Sequence, residues 1–361
     1  MSGKSRWAVA AVAATVIGGV SACGSSSSQS SSGQGSSSHT ASASASSSTV
    51  SPIDFGPYCG PSCQKDLTLK APQSSVNLKV GFALDATSFP YGAAMESKTA
   101  AAAKKFFPNM KLTILDGNND PATQAQDVGT LVNQGIKVLI INAVTAQALV
   151  PAVKQAVAAG VKVVSVDRTV NTPVLTTVKA PDVPLGERAA QFIVSQLHGH
   201  GNVAILSGTP GASPTISRTT GFMNVVKNYP GIKVVANVNG NYDGATAAKV
   251  VDDLLSRFPA GKLDAIYSEA DVMSLGAIQS IKAAGRAKSL FMVSIDGQQQ
   301  ALQAIQAGDL LATVVYPVVV PEDVIAAAKA GLGESMPTFI PLDYPLVTKD
   351  NVQKYLGTNF G

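Results

Sequence analysis

From Val76 to about Val347 the chain alternates short apolar runs with longer stretches in which apolar positions recur at helical spacing. Runs of this length bounded by breakers read as buried strands, and their regular alternation with helices gives parallel sheets covered on both faces. Strands are predicted near Leu78–Leu84, Lys111–Asp116, Val138–Asn142, Lys162–Asp167, Val203–Ser207, Lys233–Asn237, Ala265–Ser268, Phe291–Asp296 and Leu311–Tyr316, with helices in the gaps. Polar, charged or aromatic residues close several of them: Asp85, Asn142, Asp167 with Arg168, Asp296 and Tyr316. Ligands of open α/β sheets bind outside the carboxyl ends of the strands, so these residues are expected to converge on one crevice.

The amino-terminal region has another pattern. Lys4 and Arg6 precede an apolar run from Trp7 to Val20, and Ser21 and Ala22 lead into Cys23. That run is shorter than the roughly 20 apolar residues of a spanning helix, so residues 1–22 read as a secretion leader. From Gly24 to Ser51 the chain is almost entirely Ser, Gly, Ala, Thr and Gln. Such a segment buries too little apolar surface to offset its ordering entropy, and residues 23–51 are expected to form a flexible tether with a reach of roughly 30 Å. Export places the remaining cysteines, Cys59 and Cys63, in an oxidising compartment, where they read as a local disulfide within a short extension, 52–75.

Composition narrows the function. The 27 basic and 23 acidic residues come closer to balance once Lys4 and Arg6 leave with the leader, and nothing calls for nucleic acid. The first strand is followed by Asp85-Ala86-Thr87-Ser88, not by a glycine-rich dinucleotide loop, and no phosphate-binding loop occurs. His39, His198 and His200 are the only histidines, which leaves a hydrolytic triad or a histidine-rich metal site without material. The expectation is a protein that is not an enzyme, with no metal and no cofactor, whose 300-odd folded residues form two domains.

Several motifs carry a resemblance to a known family. Asn118-Asn119-Asp120-Pro121, then Gln134 to Asn142, then Val163-Val164-Ser165-Val166-Asp167-Arg168 follow one another in a first half. Ser217-Arg218-Thr219-Thr220-Gly221-Phe222, Tyr242-Asp243, Asp271 to Ala277 and Ile295-Asp296-Gly297 follow in a second. In order and spacing they resemble the ribose- and galactose-type periplasmic binding proteins of bacterial ABC importers, over about Val76–Val347. The resemblance implies the type I architecture: two similar lobes, each a parallel sheet flanked by helices, joined by a hinge that the chain crosses more than once. It implies a first lobe of 76–181 and 317–345 and a second of 182–316 and 346–361. Val20-Ser21-Ala22-Cys23 resembles the lipobox, which implies cleavage before Cys23, acylation of that residue and anchoring on the extracytoplasmic face of the cell membrane.

By the same resemblance Asp167, Arg168, Arg218 and Asp296 clamp a small neutral sugar or polyol from both lobes. Phe89, Tyr91 and Tyr242 cover its ring faces, and Asn142, Asp271 and Tyr316 complete the ligand set. Each has a plainer reading: Asp167 with Arg168 as a strand-end ion pair, Asp296 as a turn residue before Gly297, Asn142 as an Asx turn, Arg218 as a solvated helix residue. The pattern also departs from the family at Ala270 and Phe89, where an asparagine is usual, at Tyr316 in place of glutamine, and at Gly92 in place of an aromatic. These changes make the pocket more aromatic and poorer in amides. The expected partner is an ABC permease, with the binding protein itself a monomer. The alternatives are a tethered sensor that presents its liganded form to a membrane receptor, and a binder of a less polar metabolite.

Overall fold

A computed structural model of the chain describes residues 52–361; the expected leader, Cys23 and the whole of the tether lie outside the described residues. Two six-stranded sheets organise the molecule. The first has the order β11-β5-β4-β3-β1-β2 and is wholly parallel, with β1 Lys79–Leu84, β2 Lys111–Asp116, β3 Val138–Ile141, β4 Lys162–Val166, β5 Thr176–Lys179 and β11 Phe339–Pro341. The second has the order β12-β10-β9-β8-β6-β7, with β6 Gly201–Ser207, β7 Ile232–Asn239, β8 Ala265–Ser268, β9 Phe291–Asp296, β10 Ala312–Val315 and β12 Leu346–Thr348, the last antiparallel to β10. The expected fold class is the observed one. Strands β5, β11 and β12 were not predicted, because three or four residues that include Thr, Lys or Pro carry no apolar run.

Side chains alternate across each strand, so each sheet offers two apolar faces and needs helices on both. In the first lobe Val80, Phe82 and Leu84 pack with α2 (Pro90–Phe106) and α10 (Glu322–Leu332), while Ala83, Leu139 and Ile141 pack with α3 (Pro121–Asn133) and α4 (Val150–Ala158). In the second lobe Ile205, Tyr267 and Ile295 share a cluster with residues of α5 (Asp182–Gln196) and α6 (Ser213–Val226). Leu206, Ile266 and Met292 share one with α7 (Gly244–Arg257), α8 (Asp271–Ala283) and α9 (Gln299–Ala307). The helices start where the chemistry allows: the Asp120 and Asp243 carboxylates accept from the amides of Thr123 and Thr246, and Pro90 and Pro121 occupy first-turn positions.

The chain passes from one sheet to the other three times, over residues 180–181, 316–321 and 342–345. Helix α10 follows the second passage and is buried from Glu322 to Ala330. Its outer side is covered by α1 (Pro61–Leu67), in which Cys63 is joined to Cys59 by a disulfide. Lys329 Nζ donates to Thr68 O at 2.7 Å and pairs with Glu334 at 3.1 Å, and Glu334 accepts from the amides of Lys70 and Ala71, so the extension is held to α10 by hydrogen bonds as well as packing. Among the described residues no helix is long and apolar enough to cross a membrane.

Helices α5 and α6 approach through reciprocal glycines. A Cβ on Gly221 would lie 2.0 Å from Val183 O, and one on Gly186 would lie 2.2 Å from Arg218 O. Gly221→Ala is therefore expected to destabilise the protein by about 1–3 kcal/mol in chemical denaturation. Gly129→Ala in α3, with open space around the added carbon, should not. Equal effects would show that the helix crossing adapts.

Glu322 and Asp323 open α10 inside the protein, and burial raises their carboxyls to about 8 and about 7. A carboxyl raised on folding gives the folded state the greater proton affinity. Its contribution is present below the ordinary carboxylate range and is lost as pH rises through the raised value. The melting temperature should fall between pH 5 and 9, and Glu322→Gln should flatten that fall; an unchanged slope in the variant would remove Glu322 as its source.

Candidate functional site

A cavity with about 490 Å³ of space free of protein atoms opens between the carboxyl ends of the two sheets. From the first lobe, the turns after β1 and β4 supply Asp85, Asp167 and Arg168, and the start of α2 supplies Phe89 and Tyr91. Arg168 is held at both terminal nitrogens and against two rings. Its Nη2 pairs with Asp85 at 3.1 Å, its Nη1 donates to Val144 O at 3.4 Å, and its guanidinium lies 5.5 Å from the Phe89 ring centre and 5.4 Å from that of Tyr242. Asn142, at the end of β3, donates to Asp85 at 2.9 Å and accepts from the Arg168 amide at 3.2 Å.

The second lobe supplies Arg218, Tyr242, Ala270, Asp296 and Gln298. Arg218 Nε donates to Asp182 at 2.9 Å, and its Nη1 donates to Glu269 O at 2.6 Å and lies 3.5 Å from Asp296. Its guanidinium sits 4.7 Å from the Tyr316 ring centre. Asp182 also pairs with Lys179, so an ion chain runs from the end of β5, through the first passage, to the cavity wall. Tyr316 lies on the second passage, and Phe360 reaches the cavity from the carboxyl-terminal tail.

Burial shapes the electrostatics. It raises the carboxyl of Asp85 to about 6 against the pull of Arg168, and that of Glu269 to about 7 against hydrogen bonds from Thr219 and Gly208. It raises Asp271 to about 6, opposed by the donors Ser294, Gln298 and Thr313. Asp296 is pushed well above the carboxylate range by burial and by neighbouring Asp271, with Arg218 opposing. Among the described residues, three of the seven non-glycine residues with positive φ line the cavity: Asp167 (52°), Tyr242 (57°) and Asp296 (131°). Such backbone costs about 1–3 kcal/mol per residue and persists where surrounding structure imposes it.

Eight of the ten residues expected to meet a ligand line the cavity: Phe89, Tyr91, Asp167, Arg168, Arg218, Tyr242, Asp296 and Tyr316. Asn142 and Asp271 do not. Asn142 stands behind Asp85 and Arg168, and Asp271 turns its carboxylate into the protein, where Ser294, Thr313 (2.9 Å) and the Gln298 amide (2.8 Å) donate to it. The expected list also lacked Pro214, Val272, Gln298 and Phe360, which line the cavity. Gln298 follows Asp296-Gly297 closely, but Phe360 has no sequence signal at all.

Among the described residues no protein group bonds the carboxylate of Asp167, Arg168 Nε or Arg218 Nη2, and the Tyr316 hydroxyl and Gln298 Oε1 are buried without partners. The lining contains no serine, cysteine or histidine. Open acceptors and donors on both lobes, between aromatic rings, can bind a compact polar molecule with two kinds of face.

Comparisons with known proteins agree with this geometry. The periplasmic binding protein domain model matches residues 80–329. A xylitol-binding protein of Mycolicibacterium smegmatis is 34% identical over 247 residues, 68% of this chain and 70% of that protein. The ribose import binding protein of Bacillus subtilis is 34% identical over 67% of this chain and 78% of its own length. The solved structure of a Mycobacterium smegmatis ABC transporter solute-binding protein with bound glycerol superposes with a TM-score of 0.73 at 30% identity, over 79% of this chain and 99% of the other. With its two sheets, its three passages and a cavity at their carboxyl ends, the chain belongs to the periplasmic binding protein domain family.

Proposed function

We propose that the protein is an extracytoplasmic solute-binding lipoprotein of an ABC importer, which holds a small neutral sugar or polyol between its lobes and delivers it to the membrane permease. The observation that carries this is the facing, across the cavity, of polar atoms that no protein group bonds among the described residues: the Asp167 carboxylate and Arg168 Nε on the first lobe, Arg218 Nη2 and Gln298 Oε1 on the second. A carboxylate accepts from adjacent hydroxyls and a guanidinium donates to ligand oxygens, so a polyhydroxyl molecule satisfies both walls at once. Contacts made to both lobes favour the closed form, and the permease reads that form. The lobes are 76–181 with 317–345, and 182–316 with 346–361. The relatives are named for binding xylitol and ribose, which supports the ligand class. No chemistry on the ligand is involved, and the protein acts as a monomer.

The walls also bear on the ligand's shape. Pro214, Ala270 and Val272 offer it no hydrogen-bonding side chain, so the edge that meets them carries C–H groups. A buried hydroxyl without a partner there would cost about 1–3 kcal/mol.

Calorimetry and thermal shift against pentoses, hexoses, deoxy sugars and polyols test the reading. A bound ligand at one hundred times its dissociation constant adds about 2.7 kcal/mol, enough to move the melting temperature by a few degrees. Asp167→Ala should weaken that binding by more than tenfold with the fold intact. It is a cleaner probe than Arg218→Ala, which also strips Asp296 of its cation and leaves Asp182 with Lys179 alone. Silence across the panel, or unchanged affinity in Asp167→Ala, would remove the sugar clamp.

The lipoprotein part has its own test. Mass spectrometry of the exported protein should find Cys23 as the first residue, acylated with long-chain fatty acid; an unmodified cysteine or cleavage elsewhere would exclude the anchor.

A further inference from the structure

Tyr58 and Cys59 are consecutive, yet they serve different parts of the molecule. Cys59, Cys63 and Leu67 are buried in the cluster that includes α10, on the first lobe. The Tyr58 ring is buried in the second-lobe cluster that includes Val347, Val352, Tyr355 and Leu356. Its carbonyl accepts from the Asp343 amide at 2.8 Å, on the third passage between the lobes. Its hydroxyl lies 2.6 Å from Thr358 Oγ1. Because Thr358 Oγ1 already donates its single proton to Tyr355 O at 2.6 Å, Tyr58 is the donor in that bond.

Thr358 begins a short path into the cavity. Asn359 Nδ2 donates to Asp296 O at 2.7 Å and to Tyr316 O at 3.1 Å, and its Oδ1 accepts from the Val318 amide at 3.1 Å. One side chain thus holds the backbones of two cavity residues and of the second passage. Phe360 follows, fastened by Gln299 N donating to its carbonyl at 2.8 Å; its ring is T-shaped to that of Tyr91 at 5.4 Å, and it lines the cavity. Both the extension and this tail lie outside residues 80–329, which the family model matches.

We propose that Tyr58 is a positioning residue of the cavity. Braced by the Cys59–Cys63 disulfide, it pins Thr358 and through it sets Asn359 and Phe360, so the segment that leads to the tether also completes the ligand site from behind. The extension bridges first lobe, third passage and second-lobe tail, and the wall formed by Phe360, Tyr316 and Asp296 depends on that bridge. This rests on the reading of the cavity as the ligand site, and its test separates the two.

Hydrogen exchange on the full chain reports the positioning without any ligand, because the Val318 amide is bonded directly to Asn359. Tyr58→Phe keeps the ring and loses only the donor. It should speed exchange at Val318 and across 355–361 by up to about tenfold, the worth of one hydrogen bond, while α5, α6 and α8 keep their wild-type rates. Tyr58→Ala should exceed it. Wild-type rates at Val318 and in the tail for both variants would overturn the proposal, as would a uniform increase across the molecule, which marks plain destabilisation.

Binding supplies the second arm, with xylitol and D-ribose as probes and calorimetry on wild type, Tyr58→Ala, Phe360→Ala and the double variant. Tyr58→Ala should weaken binding at least threefold in the wild type and by less when Phe360 is already alanine, the remainder acting through Asn359 on Asp296 and Tyr316. Additive losses would overturn the action through Phe360. If neither probe binds the wild type, the sugar reading suffers, and exchange at Val318 still decides for or against the positioning role.

Discussion

The protein's design turns on keeping one guanidinium charged inside it. Arg218 is almost wholly buried, and an unpaired cation in that place would cost several kcal/mol. Its partners come from separate parts of the chain: Asp182 just past the first passage, the Glu269 carbonyl at the end of β8, Asp296 at the end of β9 and the ring of Tyr316 on the second passage. Satisfying this cation therefore fixes the ends of two strands relative to two of the three connections between lobes. Asp182 is itself balanced by Lys179 of the first sheet, which extends the constraint across the hinge. Removing any member leaves an uncompensated charge, so the set behaves as a unit and not as a sum of pairs.

The backbone accepts unfavourable conformations around the same cavity. Asp167, Tyr242 and Asp296 hold positive φ, in a region that the L side chains enter at a cost, and each presents its side chain to the cavity. A strand that simply continued would point these groups along the sheet. The reciprocal close approach of α5 and α6 at Gly186 and Gly221 works to the same end, since it fixes the turn of α6 that carries Arg218.

Much of this is legible in the sequence, and the failures have physical causes. Buried strands need continuous apolar runs, which is why nine of the twelve strands among the described residues were foreseen, and strand ends in such sheets are where ligands bind, which is why Asp167, Arg168, Asp296 and Tyr316 were picked out. What position cannot give is direction. Asn142 and Asp271 occupy the right ends of the right elements, but their side chains turn inward to serve the backbone and the charges next to them. Buried carboxylates collect donors, and three donors to Asp271 leave it little capacity for a ligand. Phe360 was invisible for another reason: its place depends on a tail held by contacts between residues 41 and 300 positions apart, which no local pattern encodes.

The aromatic character of the cavity follows from the same economy of charge. Two arginines brought into a buried site need company beyond carboxylates, and the rings of Phe89, Tyr242 and Tyr316 lie 4.7–5.5 Å from their guanidinium carbons. A guanidinium over a ring gains electrostatic attraction without using a hydrogen-bond donor. Phe89 and Tyr242 at Arg168, and Tyr316 at Arg218, use up no donor, and Arg168 Nε and Arg218 Nη2 remain open to a ligand. Aromatic substitution in this pocket is thus compatible with a polar ligand: the rings hold the cations, and the cations remain free to bind.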